Sequence, residues 1–346
     1  MLKSLQLTNF RGLEQLELKR LNRVNLIVGD NNTGKTSILE ALYLLLGDGK
    51  QLQEFASSFR ATEQEGKGGQ GHTPDSFERF WLWLFKDHDT KNRILLSGNI
   101  SEKEKLEVFF ESRSPHVGEG YIQRRNSNGT GYLAELKTDA IGFFDLTTVS
   151  ALSDVRVSKL SVRPSNPVED AHRFNQVVNQ SNGEEAAESY MRKVESRLKK
   201  LRYRKLRQNS DAVVYAELAG LPEFIPSTQL GQAFTRVLHI YCEVMLEKAG
   251  VLLADEIENG IYFGNLLPFW NVLLDLIDDQ QAQLFATTHS FECLKAAHQA
   301  ACARADAGSS YDLNIIRLDR MDWGIKATEF GRDEMEAAIA NGWEMR

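Results

Sequence analysis

The stretch Val24-Asn25-Leu26-Ile27-Val28-Gly29-Asp30-Asn31-Asn32-Thr33-Gly34-Lys35-Thr36-Ser37 decides how this chain folds. Its first five residues form a short, mostly apolar run, read as a buried strand that ends at Gly29. After Lys35 the apolar residues change to helical spacing, at Ile38, Leu39, Leu42, Leu45 and Leu46, with Gly47 and Gly49 as stops. Between strand and helix lies G-x-x-x-x-G-K-[ST], the pattern of a phosphate-binding loop. Glycines let such a backbone turn tightly and bring its N–H groups close to phosphate oxygens. The following helix adds the positive end of its dipole. Lys35 is placed to neutralise the β- and γ-phosphates, and the Thr36 hydroxyl to ligate Mg²⁺. Gly29, Asn31, Asn32, Thr33, Gly34, Lys35, Thr36 and Ser37 are therefore the expected ATP-binding set, with ATP and Mg²⁺ as cofactors. A plain glycine-rich turn is the bland alternative. It does not account for the strand before the loop and the amphipathic helix after it.

Working outward, Leu5, Leu7 and Phe10 suggest a first strand, and Leu16 and Leu18 a second at period two. Residues 61–74 carry four glycines and little apolar content, and read as a surface loop. Ser76–Lys86 then places Phe77, Phe80, Trp81, Leu84 and Phe85 on one helical face, expected to be core rather than a ligand platform. The segments Ile94–Leu96, Leu106–Phe110, Tyr121–Arg124, Tyr132–Leu136 and Ile141–Leu146 predict an antiparallel sheet attached to the nucleotide-binding core. Residues 168–208 read as mainly helical, and within them 192–207 hold nine basic residues against one acidic. Strands follow at Val213–Leu218, Val251–Leu253 and Gln283–Thr287, with helices at 231–248 and 265–278. The expected fold is α/β with a mixed core sheet, an antiparallel β subdomain and a helical insertion. The linear partition is 1–60, 61–160, 161–210 and 211–346.

Two further motifs carry chemistry. Val251-Leu252-Leu253-Ala254-Asp255-Glu256 is an apolar run ending in two acids, as a buried strand would deliver carboxylates to its C-terminal edge. Asp255 is placed to hold Mg²⁺ directly or through water, and Glu256 to polarise the attacking water. Acids often follow strands, so this motif gains its force from the loop at 29–36. Gln283-Leu284-Phe285-Ala286-Thr287-Thr288-His289-Ser290 is a strand ending in a histidine. Such a histidine is commonly a structural hydrogen-bonder. Downstream of an Asp-Glu pair, the expected role of His289 is to contact the γ-phosphate and position the water.

This order of motifs resembles that of ABC-type ATPases, in particular their OLD-like and structural-maintenance-of-chromosomes (SMC) branches. Leu7-Thr8-Asn9-Phe10-Arg11-Gly12 is similar to their N-F-R-G start, and Asp255-Glu256-Ile257-Glu258-Asn259-Gly260 to their D-E-I-E-N-G segment. The C-terminal Ile316-Arg317-Leu318 and Gly342-Trp343-Glu344-Met345-Arg346 resemble small bacterial ATPases of the group. The resemblance covers both ends and most of the core, not the middle. It implies that Arg11 reaches an ATP phosphate and that ATP joins two copies head to tail. The family's signature is Leu-Ser-Gly-Gly-Gln. This chain has Ser227-Thr228-Gln229-Leu230-Gly231-Gln232, closer to the altered OLD-like form. By resemblance Ser227 and Gly231 face the γ-phosphate of the other protomer, at the start of the 231–248 helix. An ordinary helix cap is the alternative. The family's Mg²⁺-contacting glutamine has no clear counterpart, with Gln123 and Gln176 poor candidates.

A full OLD protein adds a TOPRIM nuclease domain, which needs a glutamate and an Asp-x-Asp pair. Asp319 and Asp322 have the wrong spacing, and little chain follows His289. The leading expectation is thus an ATPase that controls a separately encoded effector, of the TOPRIM nuclease type, in phage defence. One alternative is a DNA-handling repair ATPase, with Arg197, Lys199, Lys200, Arg202, Arg204 and Lys205 as contacts to nucleic acid or to a partner. A non-hydrolysing ATP-gated scaffold is another. A transporter subunit fits poorly, since the signature is altered. The net charge of −7 opposes a whole-surface attraction to nucleic acid. The composition, 42% hydrophobic and 26% charged, is ordinary for a globular protein. No apolar run approaches a membrane span, no signal peptide is evident, and Cys242, Cys293 and Cys302 have no metal-type spacing in sequence. The expectation is a cytoplasmic protein with reduced thiols.

Overall fold

The computed structural model describes residues 1–47, 82–101, 104–112, 120–126, 131–136, 156–160, 166–180, 182–205, 211–248 and 250–342. The expected loop at 61–74, the first part of the 76–86 helix and the strand at 141–146 lie outside them. The chain divides into two units, Met1–Val157 with Asn314–Gly331 and Met345–Arg346, and Ser158–Leu313 with Arg332–Glu344.

In the first unit, β1 (Ser4–Phe10), β2 (Leu13–Leu18), β4 (Ile94–Asn99), β5 (Lys105–Ser112), β6 (Gly120–Asn126) and β7 (Gly131–Leu136) form one antiparallel sheet. Its order is β2-β1-β4-β5-β6-β7. The expected β-rich block therefore includes the two opening strands. Alternation decides the facing: on β5, Leu106, Val108 and Phe110 are buried, and they pair with Gly98, Leu96 and Ile94 of β4. Helix α1 (Lys35–Leu46) packs against β4 and β5. It is buried on almost every face, Lys35 and Ser37 through Leu46, as its near-continuous apolar sequence requires. It ends at Gly47, whose N–H donates to the Tyr43 carbonyl at 2.8 Å.

Strand β3 (Val24–Gly29) is wholly buried, which suits a central strand covered on both faces. Its neighbour in this unit is β14 (Leu313–Met321), which forms a hairpin with β15 (Gly324–Phe330). Glu329 of β15 accepts from the Lys19 and Arg20 backbone at 2.7 and 3.2 Å and so ties the hairpin to the end of β2. The C-terminal hairpin thus belongs with the N-terminal strands rather than with the 211–346 part of the linear partition.

The second unit contains β12 (Val251–Ala254) and β13 (Gln283–Thr287), paired in parallel with Val251 opposite Gln283 and Ala254 opposite Ala286. Both are fully buried. Strand β8 spans Val157–Leu160, and β9 (Leu198–Lys205), β10 (Ala212–Leu218) and β11 (Ile225–Pro226) make a small antiparallel sheet in the order β11-β10-β9. Among the described residues the unit also has six α-helices: α2 (Pro167–Val178), α3 (Gly183–Arg192), α4 (Gln232–Glu247), α5 (Leu266–Asp279), α6 (Phe291–Asp306) and α7 (Arg332–Ala340). On α5 the stripe Leu266, Phe269, Trp270, Leu273, Leu276 and Ile277 is buried. Each such side chain contributes about 1.5–3 kcal/mol when removed from water. Arg304 of α6 joins Asp275 and Asp278 of α5 and fixes the packing of that helix pair. Among the described residues no helix is long and apolar enough to cross a membrane.

Two expectations are corrected here. The basic run is not a run of helical turns: after α3 the chain turns, and Leu198–Lys205 is strand β9 on the edge of its sheet. Leu198 and Leu201 are both buried although three residues apart, a spacing that imitates a helix. The register explains it. Leu201 pairs with Ala216 and Lys200 with Glu217, but Leu198 pairs with Leu218, so the pairing slips by one residue at Lys199. Such an irregularity lets residues an odd number apart share a face. The second correction concerns the helix through Phe85. Leu82 is still helical, but Trp83 and Leu84 turn, Phe85 bridges Phe10, and the Leu84 carbonyl accepts from Arg11 N–H at 2.7 Å. Leu84 and Phe85 are buried as expected, but by closing on β1 rather than by lying on a helix face.

Candidate functional site

The loop at the end of β3 holds itself open through its own backbone. Gly29 has φ 137°, a region that side chains rarely adopt, and a Cβ there would lie 2.3 Å from the Leu318 carbonyl oxygen of β14. Only glycine admits that approach. Thr33 Oγ1 donates to the Asp30 carbonyl at 2.8 Å and closes the turn. Lys35 Nζ, 7% exposed, folds back to donate to the Gly29 and Asp30 carbonyls, both at 2.7 Å. The ammonium is thus held at the mouth of the loop. Arg320 of β14 donates to the Asn32 carbonyl at 2.7 Å and braces the loop from behind. Asn31 and Asn32 are exposed, Thr33 and Ser37 are buried, and Thr36 is partly exposed on the first turn of α1. The predicted loop residues are therefore in one continuous cradle.

Arg11, assigned to a phosphate by resemblance, is engaged elsewhere in this structure. It is 5% exposed in the β1–β2 turn, with φ 55°, and makes a two-pronged ion pair with Glu40 of α1 at 2.9 and 3.2 Å. Its remaining nitrogen donates to the Trp83 carbonyl at 3.2 Å. Sequence reading missed Glu40, a carboxylate inside an apolar helix. Such a group is nearly always paired when fully buried, and that was the available signal.

In the second unit the parallel register brings the ends of β12 and β13 together. Thr287 Oγ1 donates to Asp255 Oδ1 and accepts from the Glu256 backbone N–H at 2.8 Å. The Thr287 carbonyl accepts from Ile257 N–H at 3.1 Å. One threonine therefore orients both acids. Glu256 has φ 47°, a left-handed conformation for a residue that gains nothing from it by itself. The strain is of order 1–3 kcal/mol, and the Thr287 contacts help to hold it. Asp255 and Glu256 are partly exposed, and His289, two residues beyond Thr287, is exposed. The His289 backbone N–H donates to Glu258 at 3.0 Å, so the D-E-I-E segment also sets the turn that presents the imidazole. Thr287 and Glu258 were not singled out in the sequence. With Ala254 opposite Ala286, the next residues, Asp255 and Thr287, meet by register.

The altered signature lies at the start of α4. Ser227 is 5% exposed in a short 3₁₀ turn, Ser227–Leu230. Gly231 follows with φ 90° and ψ 166°, a conformation essentially restricted to glycine, and opens α4 with no side-chain cap. The side-chain oxygen of Gln232 lies against Gly260 of the D-E-I-E-N-G segment. Farther along α4, burial lowers the pKa of the Arg236 guanidinium, an effect opposed by Asp170 and Glu258, and His239 Nδ1 lies 2.8 Å from Asp170.

The basic residues of the β9 region are largely balanced by acids of the same unit. Arg197 pairs with Glu195 at 2.9 Å, Arg202 with Glu184 and Glu188, and Lys199 reaches Glu217 at 4.0 Å. Arg204 lies over the Tyr215 and Phe224 rings at 6.0 and 5.3 Å, and Lys200 and Lys205 are exposed.

Residues 1–113 match the AAA ATPase domain family. The chain is 22% identical over 341 residues to an ATP/GTP phosphatase of Helicobacter pylori, covering 85% of this chain and 87% of that protein. It is 44% identical to the DNA replication and repair protein RecF of Clostridioides difficile, but over 64 residues, 18% of this chain and 15% of RecF. Among solved structures it is similar to an SMC head bound to the C-winged helix domain of ScpA, with a TM-score of 0.52 at 13% identity, over 97% of this chain and 99% of that one. The fold is thus that of an SMC-type head, α/β with mixed sheets, and its N-terminal part is similar to an AAA-type ATPase domain.

Proposed function

We propose that this chain binds Mg-ATP in the Gly29–Ser37 cradle, hydrolyses it with Glu256, and pairs with a second copy when ATP is bound. The observation that carries the reading is the Lys35 ammonium, held by two carbonyls at the mouth of a loop that only glycine can close. An arriving triphosphate exchanges those carbonyls for phosphate oxygens, with the α1 amides and the helix dipole behind them. The Thr36 hydroxyl and the Asp255 carboxylate are hard oxygen donors, which is the ligand class Mg²⁺ prefers. Bound Mg²⁺ would neutralise the charge of the β- and γ-phosphates. Glu256, fixed by its backbone to Thr287, accepts the proton of the attacking water. His289 is exposed and free to turn toward a γ-phosphate. Ser227, Gly231 and the uncapped start of α4 suit the γ-phosphate of another protomer's nucleotide, since such a helix start favours an anion. The name of the H. pylori relative supports hydrolysis of a nucleoside triphosphate.

The role we infer for hydrolysis is control of a separately encoded effector, of the TOPRIM nuclease class, in phage defence. The altered signature and the D-E-I-E-N-G segment support that branch of the resemblance. The RecF similarity favours a second reading, a DNA-handling ATPase using the β9 region. The ion pairs to Glu184, Glu188, Glu195 and Glu217 reduce the positive charge available there.

The deciding experiment compares wild type and Glu256→Gln for ATP turnover, nucleotide retention and mass in solution. Loss of the base predicts a kcat lower by about 10²–10⁴-fold, with ATP retained and a stable dimer. Wild-type turnover in the variant removes Glu256 from the mechanism. A variant that holds ATP and stays monomeric removes the paired-head arrangement. Salt-dependent binding of plain duplex DNA by wild type would select the second reading.

A further inference from the structure

Away from both constellations, α6 and α7 bring together three side chains with metal-ligand chemistry. His298 and Cys302 are four residues apart on α6 and so lie on one face of the helix. Glu336 comes from α7. Cys302 Sγ is 3.5 Å from His298 Nε2 and 3.9 Å from Glu336 Oε1. One ligand atom from each of the three lies within 4.8 Å of the other two. A tetrahedral zinc ion, with bonds of about 2.3 Å to sulfur and about 2.0 Å to nitrogen or oxygen, sets its ligand atoms about 3.5 Å apart. The two edges that meet at Cys302 Sγ, 3.5 and 3.9 Å, are close to that size.

A second feature is independent of the triangle. His298 Nδ1 lies 2.8 Å from the Tyr311 hydroxyl, while Cys302 Sγ lies 3.9 Å from that nitrogen and 3.5 Å from Nε2. With Nδ1–H donating to the phenol oxygen, Nε2 is the unprotonated nitrogen left as a ligand atom. Histidines that bind metals nearly always have such an outer partner, which fixes tautomer and ring angle. His298 is 6% exposed, Cys302 is half-buried and Glu336 is exposed, so solvent reaches the cluster from the Glu336 side. Arg332 is the one nearby cation described at this cluster. It is paired with Asp306 at 2.9 Å as well as with Glu336 at 3.0 Å, so it keeps a carboxylate when Glu336 turns to a metal.

We propose that His298, Cys302 and Glu336 bind zinc(II) with water at the fourth position, clamping α7 onto α6. The mixed nitrogen, sulfur and oxygen donor set suits zinc rather than magnesium, so the site is chemically distinct from the one that takes Mg-ATP. The test uses the full chain without nucleotide, stripped with a chelator and titrated with cobalt(II) alone, then with zinc(II). The expected result is one equivalent of cobalt bound with a thiolate-to-metal charge-transfer band in the near ultraviolet, which zinc(II) removes. The band should vanish in Cys302→Ser. Glu336→Gln, at an exposed position that tolerates the change, should weaken binding while the fold persists. Tyr311→Phe should retain the band and lower zinc affinity by about tenfold. A wild-type chain that gives no charge-transfer band with excess cobalt overturns the proposal. So does a band that survives in Cys302→Ser.

Discussion

The phosphate cradle and the acidic strand end are built by opposite means. In the cradle, Lys35 reaches back five and six residues to the Asp30 and Gly29 carbonyls, and Thr33 reaches back three to Asp30. At the strand end, Thr287 holds Asp255 and Glu256 across sequence separations of 32 and 31 residues. The first site is local backbone geometry that eight consecutive residues nearly specify. The second exists only after two parallel strands find their register. Local geometry is inexpensive in chain entropy, whereas the long-range site draws its order from the burial of β12 and β13. Damage to the cradle should therefore reach stability and binding. Damage to the strand end should reach turnover while leaving binding intact.

The strongest test of that contrast is Gly29→Ala. The added Cβ meets the Leu318 carbonyl oxygen, which is backbone and cannot rotate away, at a φ of 137°. Strain and displacement of β14 together should cost about 3 kcal/mol or more. A thermal melt should fall by about 4 °C or more. A midpoint within about 2 °C of wild type would mean that the cradle is looser than its contacts indicate. Next in size is Lys35→Ala, which removes charged hydrogen bonds of about 1.5–3 kcal/mol. Titration calorimetry should show ATP affinity lower by about 10–100-fold with the fold retained. Unchanged affinity would remove Lys35 from the phosphate site.

These two sites also show which parts of the chain were readable in advance. The strand Val24–Gly29 and the helix Lys35–Leu46 follow directly from a change of apolar period around one loop, and both stand as expected. The antiparallel pairing of β4 to β7 follows from alternation at Leu106, Val108 and Phe110. The edge strand β9 was not readable, because the slip at Lys199 gave Leu198 and Leu201 a helical spacing. Charge hid it further, since cations are equally at home on a helix face and on an exposed strand. At the site, Asp255, Glu256 and His289 were marked by their positions after apolar runs. Thr287 was not, because its importance depends on which residue of the other strand it meets. Arg11 shows the same limit from the other side: a motif can place the residue, but Glu40 decides what its guanidinium holds in this structure.

The smallest expected effect is also the most discriminating. Thr287→Val keeps the shape of a fully buried side chain but removes the hydroxyl that donates to Asp255 and accepts from the Glu256 N–H. The Glu256 N–H then loses its acceptor, and Asp255 loses the hydroxyl that donates to it. A positioning loss of this kind should lower kcat by about tenfold, roughly 1.4 kcal/mol, with ATP affinity nearly unchanged. Thr287→Ser restores the hydroxyl and should recover most of the rate, whereas a purely structural role for the threonine methyl would leave serine as impaired as valine. Equal losses of affinity and rate in Thr287→Val would join the two regions into one local device and erase the distinction between them. A loss confined to kcat, rescued by serine, would show that the two acids act only as well as a single distant hydroxyl holds them.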